Sequence, residues 1–225
     1  MTDLNRKALG GLLALILILA AVLFSAAGTF GYWQAWLFLT IFGSSVLAIT
    51  LYLMKYDPKL LERRVNAGPA AEKQKSQKII QGFAQIAFLL VIAFPAVDHR
   101  MGWSLVPAPI VIAGDGMVAL GLLLVFFVFK ANTFTSGTIE VMAEQTVIST
   151  GPYAVVRHPM YVGGLIFLIG VPLALGSWWG LIAVVPITLV IILRLLDEER
   201  FLAANLPVYS DYSRIVKYRL VPFIW

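Results

Sequence analysis

The chain has 225 residues, 60% of them hydrophobic and 13% charged, with a mean hydropathy of +0.87. Soluble domains carry about 45–50% apolar and 25% charged residues, so the composition excludes that class and points to an integral membrane protein. The absence of cysteine excludes disulfides, thiolate zinc sites and cysteine nucleophiles, while the net charge of +5 fits either a polyanionic partner or a topology signal.

After Arg6-Lys7, an apolar run from Ala8 to Ala27 has the ~20-residue length of a bilayer crossing. Ser25-Ala26-Ala27 resembles a signal-peptidase site, but the run exceeds an ordinary signal h-region, so it is read as a retained first span. Tyr32, Trp33 and Trp36 open a second span that ends near Met54, as expected for rings at headgroup level. Lys55 to Lys78 is a basic loop. Within it Leu60, Leu61 and Val65 beside Arg63 and Arg64 fit a short interfacial helix ending before Gly68-Pro69, and equally a solvated loop.

Ile79 to Val97 is the third span, Asp98 to Ser104 an outer turn, and Leu105 to Phe129 the fourth span. Asp115 lies between two glycines inside that span. A buried ionisable residue is a functional candidate, but here a structural role, capping or bridging an irregular helix turn, is expected. His99, beside Asp98 and Arg100, is expected to be a solvated surface residue without metal-ligand neighbours. Lys130 to Tyr161 is polar, and the runs Val162 to Leu175 and Trp178 to Leu193 are short for crossings. Joined by Gly176-Ser177, they read as a tight helical hairpin, or alternatively as one kinked helix. The tail from Arg194 to Trp225 is polar and basic.

The expected fold is therefore an all-α integral membrane protein of about six spans in a single domain, with four spans in residues 1–129 and the polar segment, the two short runs and the tail in 130–225. With the N-terminus cytoplasmic, Arg100 is the only one of the 17 lysines and arginines left outside, a strong positive-inside bias. That bias accounts for the charge and removes nucleic acid as a partner. It also places both termini, the Lys130–Tyr161 segment and the tail on the cytoplasmic face, so two polar clusters can meet there.

One cluster is Tyr153, Arg157, His158 and Tyr161; the other is Arg194, Glu198, Glu199, Tyr209 and Tyr212. Arg194 and Glu198 share a helix face. They fit an i, i+4 salt bridge, or equally an anion binder beside a cation binder for a ligand carrying both charges, with aromatic faces adding cation–π attraction. No Ser-His-Asp order, His-Glu-x-x-His, Gly-x-Gly-x-x-Gly or phosphate-binding lysine loop occurs, so hydrolase, metalloprotease and nucleotide-triphosphatase readings lack support.

Gly151-Pro152-Tyr153, Arg157-His158-Pro159-Met160-Tyr161-Val162-Gly163, the apolar pair of runs, Arg194 with Glu198-Glu199, Tyr209, Tyr212 and Pro222 together resemble the isoprenylcysteine carboxyl methyltransferase family in a bacterial form. The resemblance implies an inner-membrane enzyme with a cytoplasmic pocket for S-adenosylmethionine and a lipophilic acceptor entering from the bilayer. It implies that Gln145, Thr146, Val147 and Ile148 line the adenosine, that Tyr153, His158, Pro159, Met160 and Tyr161 continue the pocket, and that Glu198 holds the cofactor's charged or ribose end. Arg194 then faces the acceptor carboxylate. Glu199 and His158 become base candidates only if the acceptor is an amine or phenol, and Arg157 is expected to be structural. No metal is implied. The rival is an NADPH-dependent membrane reductase of the sterol or steroid type, which shares a His-Pro-x-Tyr element but has asparagine and glutamate where this chain has Met160 and Gly164. A small transporter is the third class, opposed by the clustering of polar residues at one end.

Overall fold

The computed structural model describes residues 2–66, 75–135, 147–206 and 208–225, apart from the side chains of 75 and 76. The described residues form helices α1 (Asp3–Ala27), α2 (Trp33–Tyr56), α3 (Pro58–Val65), α4 (Lys75–Met101), α5 (Ala108–Ala131), α6 (Pro159–Ala174), α7 (Gly180–Asn205) and α8 (Val208–Ile215), with a 3-10 turn at Gly151–Ala154 and no strand. The helical potential of the leucine- and alanine-rich runs is realised because every backbone group in hydrocarbon must be satisfied within its own segment. Outward residues such as Leu13, Leu17, Ile18, Ile86, Ile112, Leu120, Ile182 and Leu189 are exposed and apolar, as a lipid-facing surface requires.

Five helices are long and apolar enough to cross a membrane: α1, α2, Gln77–Met101 of α4, α5 and α7. The expectation of about six spans is corrected at α6. Its 16 residues rise only ~24 Å at 1.5 Å per residue, short of a ~30 Å hydrocarbon core. α7 exceeds the expected end at Leu193 and runs on to Asn205, carrying Arg194, Glu198 and Glu199 on a continuous helix. The short interfacial helix expected after span two is α3, where Asp57 caps Leu60 N–H at 3.0 Å and Leu60 and Leu61 are buried. The expected break at Gly68-Pro69 lies outside the described residues.

The helices alternate in direction, giving the bundle a proximal end, with the starts of α1, α4 and α6 and the finish of α7, and a distal end. Core side chains from α1, α2, α4, α5, α6 and α7 form one cluster that includes Leu19, Leu23, Phe38, Val91, Ile92, Val118 and Leu175. α6 packs mainly against α5, and α7 mainly against α4. The α5–α6 contact is backbone to backbone. A Cβ on Gly121 would lie 2.5 Å from the Gly163 carbonyl oxygen, and one on Gly170 would lie 2.8 Å from that of Gly114. Small residues seven apart on each helix thus let two antiparallel helices approach without side chains between them.

At the distal end the structure corrects two expectations. Asp98, His99 and Arg100 are the last turn of α4 rather than a loop. His99 is half-buried and stacks on the fully buried Tyr32 ring at 4.0 Å and 17°; it is not a solvated surface residue, because the chain reversal before α2 lays Tyr32 across it. Tyr32 in turn donates to the Leu175 carbonyl. Asp98, fully buried, accepts from Ser104 N–H at 2.8 Å, Ser104 Oγ at 2.6 Å and Ser177 Oγ, so this carboxylate fastens the turn before α7.

Asp115 is also corrected. α5 runs through it without interruption, it is 4% exposed, and neither carboxylate oxygen has a hydrogen-bond partner. It therefore caps and bridges nothing among the described residues; the flanking glycines serve helix packing on one side and open space on the other.

The crossing gives a direct test. Gly121→Val should cost at least about 1–3 kcal/mol through overpacking and lower the melting temperature in detergent, whereas Gly116→Ala, where a Cβ meets nothing within 4 Å, should leave it unchanged or higher. Equal melting temperatures for the two variants would contradict the backbone contact.

Candidate functional site

At the proximal end residues 147–158, before α6, meet α7, α8 and the tail. Gly151 opens the approach with φ of 60°, a left-handed conformation that a side chain resists, and the 3-10 turn that follows presents Tyr153. The Tyr153 hydroxyl accepts from Asn132 Nδ2 at 3.2 Å, while its carbonyl accepts from the Tyr212 hydroxyl at 2.9 Å. Pro159 occupies the first turn of α6, where its missing N–H is harmless. The preceding His158 makes no capping bond with its side chain, which turns instead toward α7.

Glu199 receives it. Its Oε1 lies 2.9 Å from Arg157 Nη1, 3.2 Å from His158 Nε2 and 3.4 Å from the Tyr209 hydroxyl, and its Oε2 lies 2.8 Å from Arg219 Nε. One carboxylate on α7 thereby joins the segment before α6, helix α8 and the tail. The backbone reinforces the junction: Arg157 N–H donates to the Tyr218 carbonyl at 2.9 Å and His158 N–H to that of Arg219 at 3.0 Å. Glu199 and His158 are both buried, so the ion pairs are shielded from water.

One residue earlier on α7, the half-buried Glu198 accepts from the Tyr161 hydroxyl at 2.6 Å. Arg194, one turn back, donates Nη1 to Gln77 Oε1 at 2.9 Å and lies within hydrogen-bonding reach of Tyr161. Gln77, fully buried, also donates to Asp197. Arg194, Glu198 and Tyr161 therefore form one continuous polar strip beside the Glu199 junction.

Burial raises the hydroxyl pKa of three tyrosines around this region. Tyr153 is pushed up to about 12, chiefly by desolvation, with Asn132 opposing and the Glu198 charge adding. Desolvation also raises Tyr209 and Tyr212, each further raised by a neighbour, Glu199 for Tyr209 and Tyr153 for Tyr212. All three remain neutral hydroxyls at physiological pH, suited to donating hydrogen bonds.

Of the residues expected in the pocket, the structure brings together Tyr153, His158, Pro159, Met160, Tyr161, Arg194, Glu198, Glu199 and Arg157 at one end. Val147 packs on the Tyr209, Tyr212 and Val216 cluster, and Met160 on Leu60, Leu61 and Phe129. Ile148 is half-buried. Gln145 and Thr146 lie outside the described residues. His158 touches Glu199 rather than open space, and Arg157 pairs with Glu199 and donates to the Lys217 carbonyl. Sequence reasoning missed Gln77, Asn132, Asp197, Arg64 and Arg219. Arg64 lay beside Leu60, Leu61 and Val65 in the stretch read as an interfacial helix; the others are ordinary polar residues, meaningful only through contacts across the bundle. Among the described residues no group of three or more His, Asp or Glu side chains could hold a metal ion.

Residues 109–207, from the start of α5 past the end of α7, match the family model of the phospholipid methyltransferases. The site thus lies within and beside the stretch that matches this family model, carried on membrane-type helices. A curated relative is the cobalt-zinc-cadmium resistance protein CzcN of Cupriavidus metallidurans, 27% identical over 100 residues, which are 44% of this chain and 46% of that protein. The chain thus spans about half the length of the curated relative it matches.

Removing the junction's anion tests its structural weight. Glu199→Gln should strand two cations and cost about 3–5 kcal/mol, as breaking buried pairs does. Limited proteolysis should then cleave near Arg214 and Lys217 faster than in the unaltered protein. Unchanged cleavage would mean that the backbone pairing alone holds the tail.

Proposed function

We propose that the protein is an S-adenosylmethionine-dependent methyltransferase acting on a lipophilic, carboxylate-bearing acceptor, with its proximal end and both termini on the cytoplasmic side of a bacterial inner membrane. The observation that carries this reading is the strip of Arg194, Tyr161 and Glu198, an anion binder one helical turn from a carboxylate, within a phospholipid-methyltransferase family match. Tyr161 comes from α6 and Arg194 and Glu198 from α7.

The donor set fits the cofactor. Glu198, half-buried and accepting a tyrosine hydroxyl bond of 2.6 Å, offers a carboxylate for an ammonium or ribose hydroxyls, and Tyr153, Tyr161 and Met160 offer apolar and aromatic walls. When bound, the cofactor supplies an electrophilic methyl group on a sulfonium. Val147 and Ile148, with Gln145 and Thr146, would line its adenosine, and His158 and Pro159 would continue the wall.

The remaining work falls to the protein's own groups. Carboxylate O-methylation needs no general base, since the nucleophile is already ionised. Arg194 would hold the acceptor carboxylate in line with the methyl group, and Glu198 would fix the other partner. The Glu199 junction keeps the tail closed over the site and excludes water, which strengthens both electrostatic contacts. His158, committed to Glu199 at 3.2 Å, is a positioning residue in this scheme.

Two substitutions separate the roles. Glu198→Gln should weaken cofactor binding roughly tenfold or more, by loss of a charge-assisted contact. Arg194→Ala should lower turnover by roughly a hundredfold while cofactor affinity stays within about twofold, as expected for a group acting only on the acceptor. The assay is methyl transfer to a panel of prenyl thioether acids, with calorimetry for the cofactor. Parallel loss of both quantities in Arg194→Ala would move that arginine into the cofactor pocket, and hydride transfer from NADPH in place of methyl transfer would favour the reductase.

A further inference from the structure

The tail beyond α8 is tied to the bundle and then closes on itself. Arg219 donates Nε to Glu199 Oε2 at 2.8 Å, and its guanidinium lies over the Trp225 ring at 5.2 Å. Leu220 N–H and Val221 N–H both donate to the Trp225 carbonyl, at 3.0 and 2.9 Å, and Trp225 N–H returns to the Val221 carbonyl at 3.0 Å. This tight turn leaves large apolar side chains in the open: Phe223 is 87% exposed, Ile224 80% and, just before it in the chain, Ile215 79%. Phe223 also has φ of 66° and is the only described non-glycine residue with a positive φ. That conformation is costly for a residue with a Cβ, so the turn holds a strained backbone and presents an apolar ring outward.

The depth of the turn follows from α7. This helix begins at Gly180, beside the exposed Trp178 and Trp179, and shows Ile182, Val185, Leu189 and Leu193 outward. About 20 residues fill a hydrocarbon core of ~30 Å, so Glu199 falls at its proximal boundary. Arg219, bonded to Glu199, brings the turn to the same level. Its composition suits that level: the Tyr218 ring lies 5.4 Å from that of Phe223, Trp225 follows, and Arg214 and Lys217 are exposed. Tyrosine and tryptophan favour the headgroup layer, and basic side chains are attracted to anionic headgroups.

We propose that Val221, Phe223 and Ile224, together with Ile215, form a tip that docks on the anionic lipid surface of the leaflet at the proximal end. Lipid then holds the same segment that Glu199 fastens from within. Continuity with the lipid-facing side of α7 and the charge of Arg214 and Lys217 select the bilayer as the occupant. The inference goes beyond the methyltransferase reading and does not depend on it.

The test uses the absence of cysteine, which allows a fluorophore at one position at a time. Full-length Ile224→Cys, Ile215→Cys and, as a polar exposed control, Asp211→Cys are labelled with a polarity-sensitive probe. Each is placed as a single copy in nanodiscs of phosphatidylcholine and phosphatidylglycerol, with doxyl-labelled lipid as quencher. Probes at 224 and 215 should be blue-shifted and quenched about threefold or more over the probe at 211, as insertion at the headgroup–acyl boundary requires. Equal quenching at the three positions, or none at 224 and 215, would overturn the proposal. A blue-shifted but unquenched probe at 224 would place the tip against another part of the chain. A blue shift seen only in discs holding two copies would assign it to a second copy, and either result also overturns lipid docking. Ile215→Cys leaves the turn from Leu220 to Trp225 untouched, so a folding defect in Ile224→Cys does not decide the outcome. No cofactor enters the measurement, so failure of the methyltransferase reading and failure of this docking remain distinguishable.

Discussion

The arrangement at the proximal end depends on one carboxylate. Glu199 sits on α7, buried, and is the common partner of Arg157, His158, Tyr209 and Arg219. Without it, two guanidinium groups and an imidazole would crowd a water-poor junction with no carboxylate between them, a costly arrangement. With it, the segment before α6, helix α8 and the last residues of the chain become one body. Glu198, its neighbour, is thereby set at a defined height beside Tyr161.

That junction is reached only because α5 and α6 lie so close. The glycines at 114, 121, 163 and 170 let the two backbones touch, which brings Asn132 at the end of α5 to the Tyr153 hydroxyl and starts α6 at His158 beside α7. α6 itself, at 16 residues, is too short to cross a bilayer core alone. The distal end is held by separate means, Asp98 with Ser104 and Ser177 and the Tyr32 ring on His99, so the site end and the fastening end are chemically distinct.

Much of this was legible in the sequence. Apolar length gave the long helices, Asp57-Pro58 marked the start of α3, and the ordered set from Gly151 to Glu199 pointed to a methyltransferase family before any contact was known. What escaped did so for physical reasons. The reach of α7 beyond Leu193 was hidden because hydropathy reports the hydrocarbon boundary, while a helix continues as long as its backbone bonds and tertiary contacts favour it. His99 looked solvated because its partner Tyr32 is distant in sequence and arrives only through the fold. Gln77 and Asn132 carry no local pattern; each gains meaning from contacts across the bundle. Asp115 was read as capping or bridging a helix turn, yet α5 passes it unbroken and among the described residues its oxygens have no hydrogen-bond partner; periodicity does not reveal whether a buried carboxylate finds a donor.

The central claim is that the polar strip of Tyr161, Arg194 and Glu198 serves a methyl-donor cofactor. The most direct measurement is isothermal titration of the unaltered, detergent-solubilised protein with S-adenosylmethionine and, separately, with NADPH. Saturable binding of S-adenosylmethionine with no heat from NADPH is the predicted result. Binding of NADPH with none of S-adenosylmethionine would contradict the account.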